Sequence, residues 1–285
     1  MTFKENIHKS FRPPFTKGGG VEGRSPRHKK EKGDETMAVQ LDHDEHFEPL
    51  GKNMRIVVSK AHIFSTDAIL LADFSDIHKK DKACDLGTGC GIIPMLWCKK
   101  ETGQITAVDI QPKACGQLEK SLEENNLNDR ITVLNHDLRE LKGVLEFGSF
   151  DLVTMNPPYK PVGTGIESTS QSDKIARHET MCSIDDCVSA AANLLRFGGR
   201  FCMCHRPERL CDIVVSMRNA KLEAKRIRFV VQHEGKKPWL VLVEGRRGGK
   251  SSVVVEKNLV MKNADNSDTD EIIKIFGDYK EGEKL

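Results

Sequence analysis

Five short apolar runs with helical patterns in the gaps constrain this chain more than any other feature. They fall at residues 83–86, 105–110, 131–135, 150–155 and 200–204. Strands that alternate with helices form parallel sheets, because a parallel neighbour is reached only through a crossover of a dozen or more residues. Residues 66–74 predict a helix ahead of the first strand. The segment PKACGQLEKSLEENN opens with Pro112 at a first-turn position and sets Ala114, Leu118 and Leu122 on one face. Ser183 and Asp186 have capping-box spacing ahead of IDDCVSAAANLLRF, a helix that Gly198 and Gly199 are expected to end.

Loop length decides how the sheet finishes. Residues 226–231 (RIRFVV) and 239–245 (WLVLVEG) both read as strands, and only QHEGKKP separates them. That link is too short for a parallel crossover, so as neighbours the two can pair only as an antiparallel hairpin. The expected fold is α/β: a doubly wound, mostly parallel, seven-stranded sheet with one antiparallel strand, of the Rossmann-like kind.

A chain of 285 residues, 38% hydrophobic, can bury one large core. Residues 1–36 lie outside it, since they contain GGG and PP, lack apolar periodicity and carry nine lysines and arginines against five acids. They read as a disordered basic extension able to hold RNA phosphates. A catalytic domain over 37–262 and a C-terminal tail over 263–285 complete the expected organisation. No apolar run approaches the roughly 20 residues that span a bilayer, and no apolar stretch follows the N-terminal charges as in a secretory signal. A soluble, cytoplasmic protein without a membrane partner is expected; the oligomeric state stays open, with a monomer as the expectation. The nine cysteines include no C-x-x-C pair. Cys84, Cys90, Cys98, Cys187 and Cys202 are expected to be small buried hydrophobes. No metal site is expected, because Cys202, Cys204 and His205 have no recognisable further ligands.

The first strand runs into DLGTGCG, Asp85 to Gly91, and then into a helical pattern. Glycines at such a turn let a ligand approach the backbone, and the helix start offers N–H groups. Gly87, Gly89 and Gly91 give G-x-G-x-G. A nicotinamide site would have G-x-G-x-x-G, so the spacing argues against a dehydrogenase. Asp109, at the end of the second strand, can accept hydrogen bonds from both ribose hydroxyls. Asp137, or the backbone N–H after it, can meet an adenine ring and its amine. With Asp85 these carboxylates suit a ligand that has no pyrophosphate and carries a positive centre, which S-adenosylmethionine does.

The fourth strand stops at MNPPYK, residues 155–160. Proline fixes its own φ and holds the preceding residue extended, so Asn156 has little freedom. At a carboxyl strand end it faces the cofactor's reactive region. An exocyclic amine is a poor nucleophile because its lone pair is delocalised. The Asn156 side-chain oxygen and the Pro157 carbonyl can accept its two N–H bonds, stabilise developing positive charge and aim the lone pair at a methyl donor. Tyr159 offers a face on which a planar target can stack.

DLGTGCG, Asp109, Asp137 and NPPY, in that order, resemble the class I S-adenosylmethionine-dependent methyltransferases that modify amino nitrogens. More narrowly, FSTDAILLADF (64–74), NPPY, ARHE (176–179) and LVEGRRGGK resemble the bacterial tRNA adenine-N6 methyltransferases, which act on the adenosine beside the anticodon of a valine tRNA. The resemblance covers about residues 41–262. It implies S-adenosylmethionine as cofactor and tRNA as partner, with Gly87, Gly89, Asp109 and Asp137 on the cofactor and Asn156, Pro157 and Tyr159 on the amine. Thr66 and Asp67 match the family's upstream helix start and are expected to wall the cofactor site.

Three rival readings share these motifs. Glutamine-N5 methyltransferases of release factors carry NPPY but also a preceding helical domain, for which about 80 residues leave no room. Ribosomal RNA guanine-N2 methylation is a second alternative, and an RNA-binding scaffold without turnover a third. A loop over 160–181 reads as a lid or a substrate loop, whose Arg177 and His178 either meet a phosphate or the target base or form a solvated surface. Arg246, Arg247 and Lys250 in the RRGGK loop form a basic patch expected to hold RNA.

Overall fold

The structure is a computed structural model that describes residues 39–100, 103–157, 182–277 and 279. A hairpin of β1 (Glu45–Pro49) and β2 (Arg55–Ser59) precedes α1 (Thr66–Phe74). The sheet and its helices follow as β3 (Ala83–Leu86), α2 (Ile92–Cys98), β4 (Ile105–Asp109), α3 (Pro112–Glu124), β5 (Ile131–Asn135) and β6 (Phe150–Met155). Then come α4 (Ile184–Leu194), β7 (Leu195–His205), α5 (Leu210–Asn219), β8 (Leu222–Val231) and β9 (Pro238–Arg247). Two-residue strands β10 (Val254–Val255) and β11 (Leu259–Val260) and a last helix α6 (Asp270–Phe276) complete the chain.

The seven long strands lie in the order β8-β9-β7-β6-β3-β4-β5. Only β9 is reversed, antiparallel to both β7 and β8; the short QHEGKKP link accounts for its opposition to β8. The strand count exceeds seven because β10 and β11 each pair in parallel with β8. Adjacent residues of β7 serve opposite faces: Cys202 and Cys204 join the core with α1, α2, α3 and α6, while Phe201 and Met203 join that with α4 and α5. Cys84, Cys90, Cys98, Cys187 and Cys202 are all buried.

Three sequence expectations change. Helix α4 has the anticipated capping box, with Ser183 Oγ accepting from the Asp186 amide, but it ends at Leu194 and not at the glycines. Leu195 is already extended and pairs with Phe150. Gly198 and Gly199 sit inside β7, where a Cβ on Gly199 would lie 2.9 Å from the Phe150 carbonyl oxygen. Residues 263–285, expected as a tail, contribute α6, whose Ile272 is wholly buried among core residues. The β1–β2 hairpin was not anticipated, although VVSKAHIF is an apolar run. It packs on α3, where Ser121 Oγ accepts from the Val57 amide at 2.8 Å and Lys120 pairs with Glu45 at 2.6 Å. Among the described residues no helix is long and apolar enough to cross a membrane.

Candidate active site

Strand order reverses between β3 and its neighbours β4 and β6, and ligands of open α/β sheets bind in the crevice outside the carboxyl ends at such a point. A cavity of about 720 Å³ opens there, and Asp85, Gly87, Gly89, Asp109, Asp137, Asn156 and Pro157 all line it. Thus seven residues proposed from sequence, drawn from four strand ends, meet around one space.

The glycine turn forms part of its wall. Gly87, Gly89 and Gly91 have φ of 62°, 57° and 87°, a region that favours glycine. Their roles differ. A Cβ on Gly91 would lie 2.3 Å from Leu118 Cδ1, so this glycine permits the close packing of α2 on α3, whereas a Cβ on Gly89 would meet no atom within 4 Å. Gly89 therefore leaves the backbone open to a ligand. Asp109 holds the turn in place: its Oδ2 accepts from the Gly89 amide at 2.8 Å and its Oδ1 from the Gln111 amide at 2.9 Å. Each oxygen retains a lone pair for a further donor.

Asp85 is 1% exposed, and Thr154 Oγ1 donates to its Oδ1 at 2.6 Å. Asp85 Oδ2 and the neighbouring Thr88 Oγ1 are buried without hydrogen-bond partners. Burial pushes the Asp85 carboxyl up to about 7, against the opposing pull of the Thr154 and Thr88 hydroxyls. An unsatisfied buried acceptor beside a cavity is suited to a cationic donor brought by a ligand.

Asn156 follows β6, and its Oδ1 accepts from the Cys204 thiol on β7 at 3.1 Å. This contact ties the amide to the neighbouring strand in addition to the restraint from Pro157. Tyr159, Arg177 and His178 lie outside the described residues.

Several placements depart from expectation. The Asp137 carboxylate is held by the Arg139 guanidinium, with Nε at 2.9 and 3.0 Å from its two oxygens, and it also accepts from the Arg139 amide. These hydrogen bonds hold its carboxyl below the usual range. The Asp137 carboxylate is thus already engaged by Arg139. Thr66 and Asp67 do not line the cavity; Ile63, Phe64, Ser65 and Ala68 do. The wall is the loop leading from β2 into α1 together with Ala68 of α1, while Thr66 lines a neighbouring cavity.

Arg246, Arg247 and Lys250, read from sequence as a basic patch for RNA, do not line the cavity. Strand β9 runs opposite to its neighbours, pairing Val241 with His205 and Arg246 with Arg200. Its end therefore lies at the amino edge of the parallel strands, roughly 17 Å from the cavity edge at about 3.3 Å per residue. Arg247 donates to the Ala192 carbonyl, which gives it a packing role.

Sequence reasoning missed His136, Arg139, Cys182 and Arg206, all of which line the cavity. Arg206 directly follows β7, and its position after a carboxyl strand end is the signal that could have found it. Its amide donates to His205 Nδ1 at 2.8 Å, and burial pushes the His205 imidazole down to about 4, so the acceptor stays neutral.

A doubly wound sheet with a single reversed strand near one edge, and its cavity at the switch point, is the architecture of class I methyltransferases. The sequence narrows this further: the methyltransferase small domain family matches residues 52–231, and the chain belongs to that family. A protein of Tolumonas auensis named tRNA1(Val) (adenine(37)-N6)-methyltransferase is 26% identical over 224 residues, covering 75% of this chain and 88% of its own. A Shewanella protein of the same name is 21% identical over 225 residues, covering 75% and 90%. One from Histophilus somni is 31% identical over 136 residues, covering 47% and 56%. The crystal structure of a predicted O-methyltransferase from Agrobacterium tumefaciens superposes with a TM-score of 0.60 at 19% identity, over 75% of this chain and 97% of that one. At that identity the likeness concerns the fold alone.

Proposed function

We propose that the chain transfers a methyl group from S-adenosylmethionine to the exocyclic N6 amine of an adenosine in tRNA, the one beside the anticodon of a valine tRNA. The observation that carries this reading is Asn156–Pro157 at the edge of the cavity, on the strand next to the glycine turn. The names of the relatives support the choice of adenine and of tRNA. The site's chemistry suits the cofactor. Asp85 Oδ2 and Thr88 Oγ1, both without partners, match an ammonium and a carboxylate, and the remaining lone pairs of Asp109 match a ribose diol. When bound, S-adenosylmethionine supplies an electrophilic methyl group on a sulfonium.

This chain's own contribution is to hold the amine. Asn156 Oδ1 and the Pro157 carbonyl accept its two hydrogens, so nitrogen can pyramidalise and turn its lone pair into the cavity. The Cys204 thiol fixes the amide while leaving a second lone pair on Oδ1. No base need remove a proton first, since the methylated ammonium loses its proton to water. Tyr159 stacks on the base. Arg177 and His178 meet a phosphate, residues 1–36 form a basic arm for RNA, and the reaction takes place in the cytoplasm.

The test offers the purified protein and labelled cofactor to unmodified tRNA, duplex DNA and a release factor in parallel. N6-methyladenosine in tRNA alone is the expected product. Methylglutamine in the release factor, with silent tRNA, would replace this reading by its nearest rival.

A further inference from the structure

Beside the cofactor cavity lies a second one of about 430 Å³, and the two share Phe64 and Ser65 as a common wall. That size falls in the range of small-ligand sites, roughly 300–1,000 Å³. Phe64, Trp239, Phe276 and Tyr279 contribute its aromatic lining, with Gln232 and Thr66 among its polar residues. Phe64 and Tyr279 meet edge to face with centroids 5.9 Å apart, and Tyr279 Oη donates to Glu48 at 2.8 Å, so this lining is held by its own contacts. The Trp239 indole N–H is buried and lacks an acceptor. A donor so placed is costly, and an acceptor on a ligand would offset that cost.

The location says what that ligand is attached to. Trp239 is the second residue of β9, which lies two strands from β6 and hence from Asn156, about 10 Å along the sheet edge. Arg206 stands between the two sites: it lines the cofactor cavity, and its guanidinium donates to the Trp239 carbonyl at 3.2 Å. A target base at Asn156 and a second base in the neighbouring cavity, with the Arg206 guanidinium between them, match two adjacent nucleotides splayed apart, with their linking phosphate over the arginine. Single-stranded RNA is read in this way, by bases unstacked onto aromatic side chains.

Resting on the proposed RNA substrate, we infer that the second cavity binds the base of a nucleotide flanking the target adenosine. Stacking on such a platform is worth about 1–3 kcal/mol per base. Removing the base therefore raises KM about tenfold or more, with kcat little changed.

The experiment uses the full chain with S-adenosylmethionine and an anticodon stem-loop transcript bearing adenosine after the anticodon. Companion transcripts carry an abasic ribose at one flanking position each. Trp239→Leu removes the platform, and Thr66→Trp fills the space from its rim without deleting a core side chain. Both variants are expected to bind S-adenosylhomocysteine as the unaltered protein does, which reports an intact fold. Both raise KM about tenfold on the intact stem-loop and add no penalty on the transcript lacking the one critical base. If the unaltered protein uses every abasic transcript as well as the intact one, or if either correctly folded variant keeps its KM within about twofold, the inference fails while the tRNA reading stands. Absence of methyl transfer to any RNA overturns both.

Discussion

Asp85 is the residue whose chemistry depends most on its surroundings. Burial raises its carboxyl to about 7, so in the free protein near neutral pH a proton competes with any cation for it. A ligand ammonium favours the carboxylate, so binding displaces that proton. Affinity for S-adenosylhomocysteine is then expected to rise about tenfold between about pH 6 and 8 and to level off above. For the fold the sign is opposite. The folded value lies above the unfolded 3.8, so the associated stability is present below about 4 and is lost as pH rises to about 7. Asp85→Asn should remove both dependences in calorimetry and in pH-resolved melting. A cofactor affinity that rises with pH equally in the variant would remove Asp85 from the ammonium site. Asn156 gives a different signature, because its acceptor is needed most as charge develops on the amine. Asn156→Ala should lower kcat about a hundredfold while cofactor affinity stays nearly the same. Retention of most of the turnover would end the amine-clamp assignment.

At the scale of elements, legibility followed local physics. The strands from β3 to β9 could be read because each contains a short apolar run bounded by turn residues, and loop length alone shows that β8 and β9, as neighbours, run in opposite directions. The boundary of α4 could not. Nothing local distinguishes LLRF as the end of a helix from LLRF as the start of a strand, and pairing of Leu195 with Phe150 decides it. In the site, Gly87, Gly89, Asp109 and Asn156 were legible because the chemistry constrains residue type at a strand end. Phe64 was not, since it gains its role only when the β2–α1 loop is brought beside the cavity, and Arg206 had only its position after a strand end as a signal. Helix α6 was invisible for a related reason: seven residues carry little periodicity, and its value lies in Ile272 and Phe276 packing into a core built mainly by other elements. Ile272→Ala should therefore cost about 2–5 kcal/mol of stability, measured by urea unfolding, despite lying outside the family match. A loss below about 0.5 kcal/mol would return residues 263–285 to the status of a tail.

The whole molecule carries a formal charge of only +2, so attraction to RNA must come from how charge is distributed rather than from its sum. Direction of the strands determines that distribution near the site. Parallel strands, β8 included, deliver their ends to the cavity edge, and the β8–β9 turn places exposed Lys236 and Lys237 there. The reversed β9 carries Arg246, Arg247 and Lys250 to the far edge. If a stem-loop is held over the cavity, its phosphates meet the first group, and binding weakens as salt rises because each neutralised phosphate releases counterions. Replacing Lys236 and Lys237 with glutamine should flatten the slope of log affinity against log salt by about one to two. The same exchange at Arg246 and Lys250 should leave the slope nearly unchanged, and Arg247, bonded to the Ala192 carbonyl, is better left intact. Filter binding of the stem-loop over a salt series, with S-adenosylhomocysteine affinity as a control for folding, makes the comparison. Should the far pair flatten the slope and the near pair not, the RNA would approach across the amino edge of the sheet, and the cavity edge would have to be given up as its docking face.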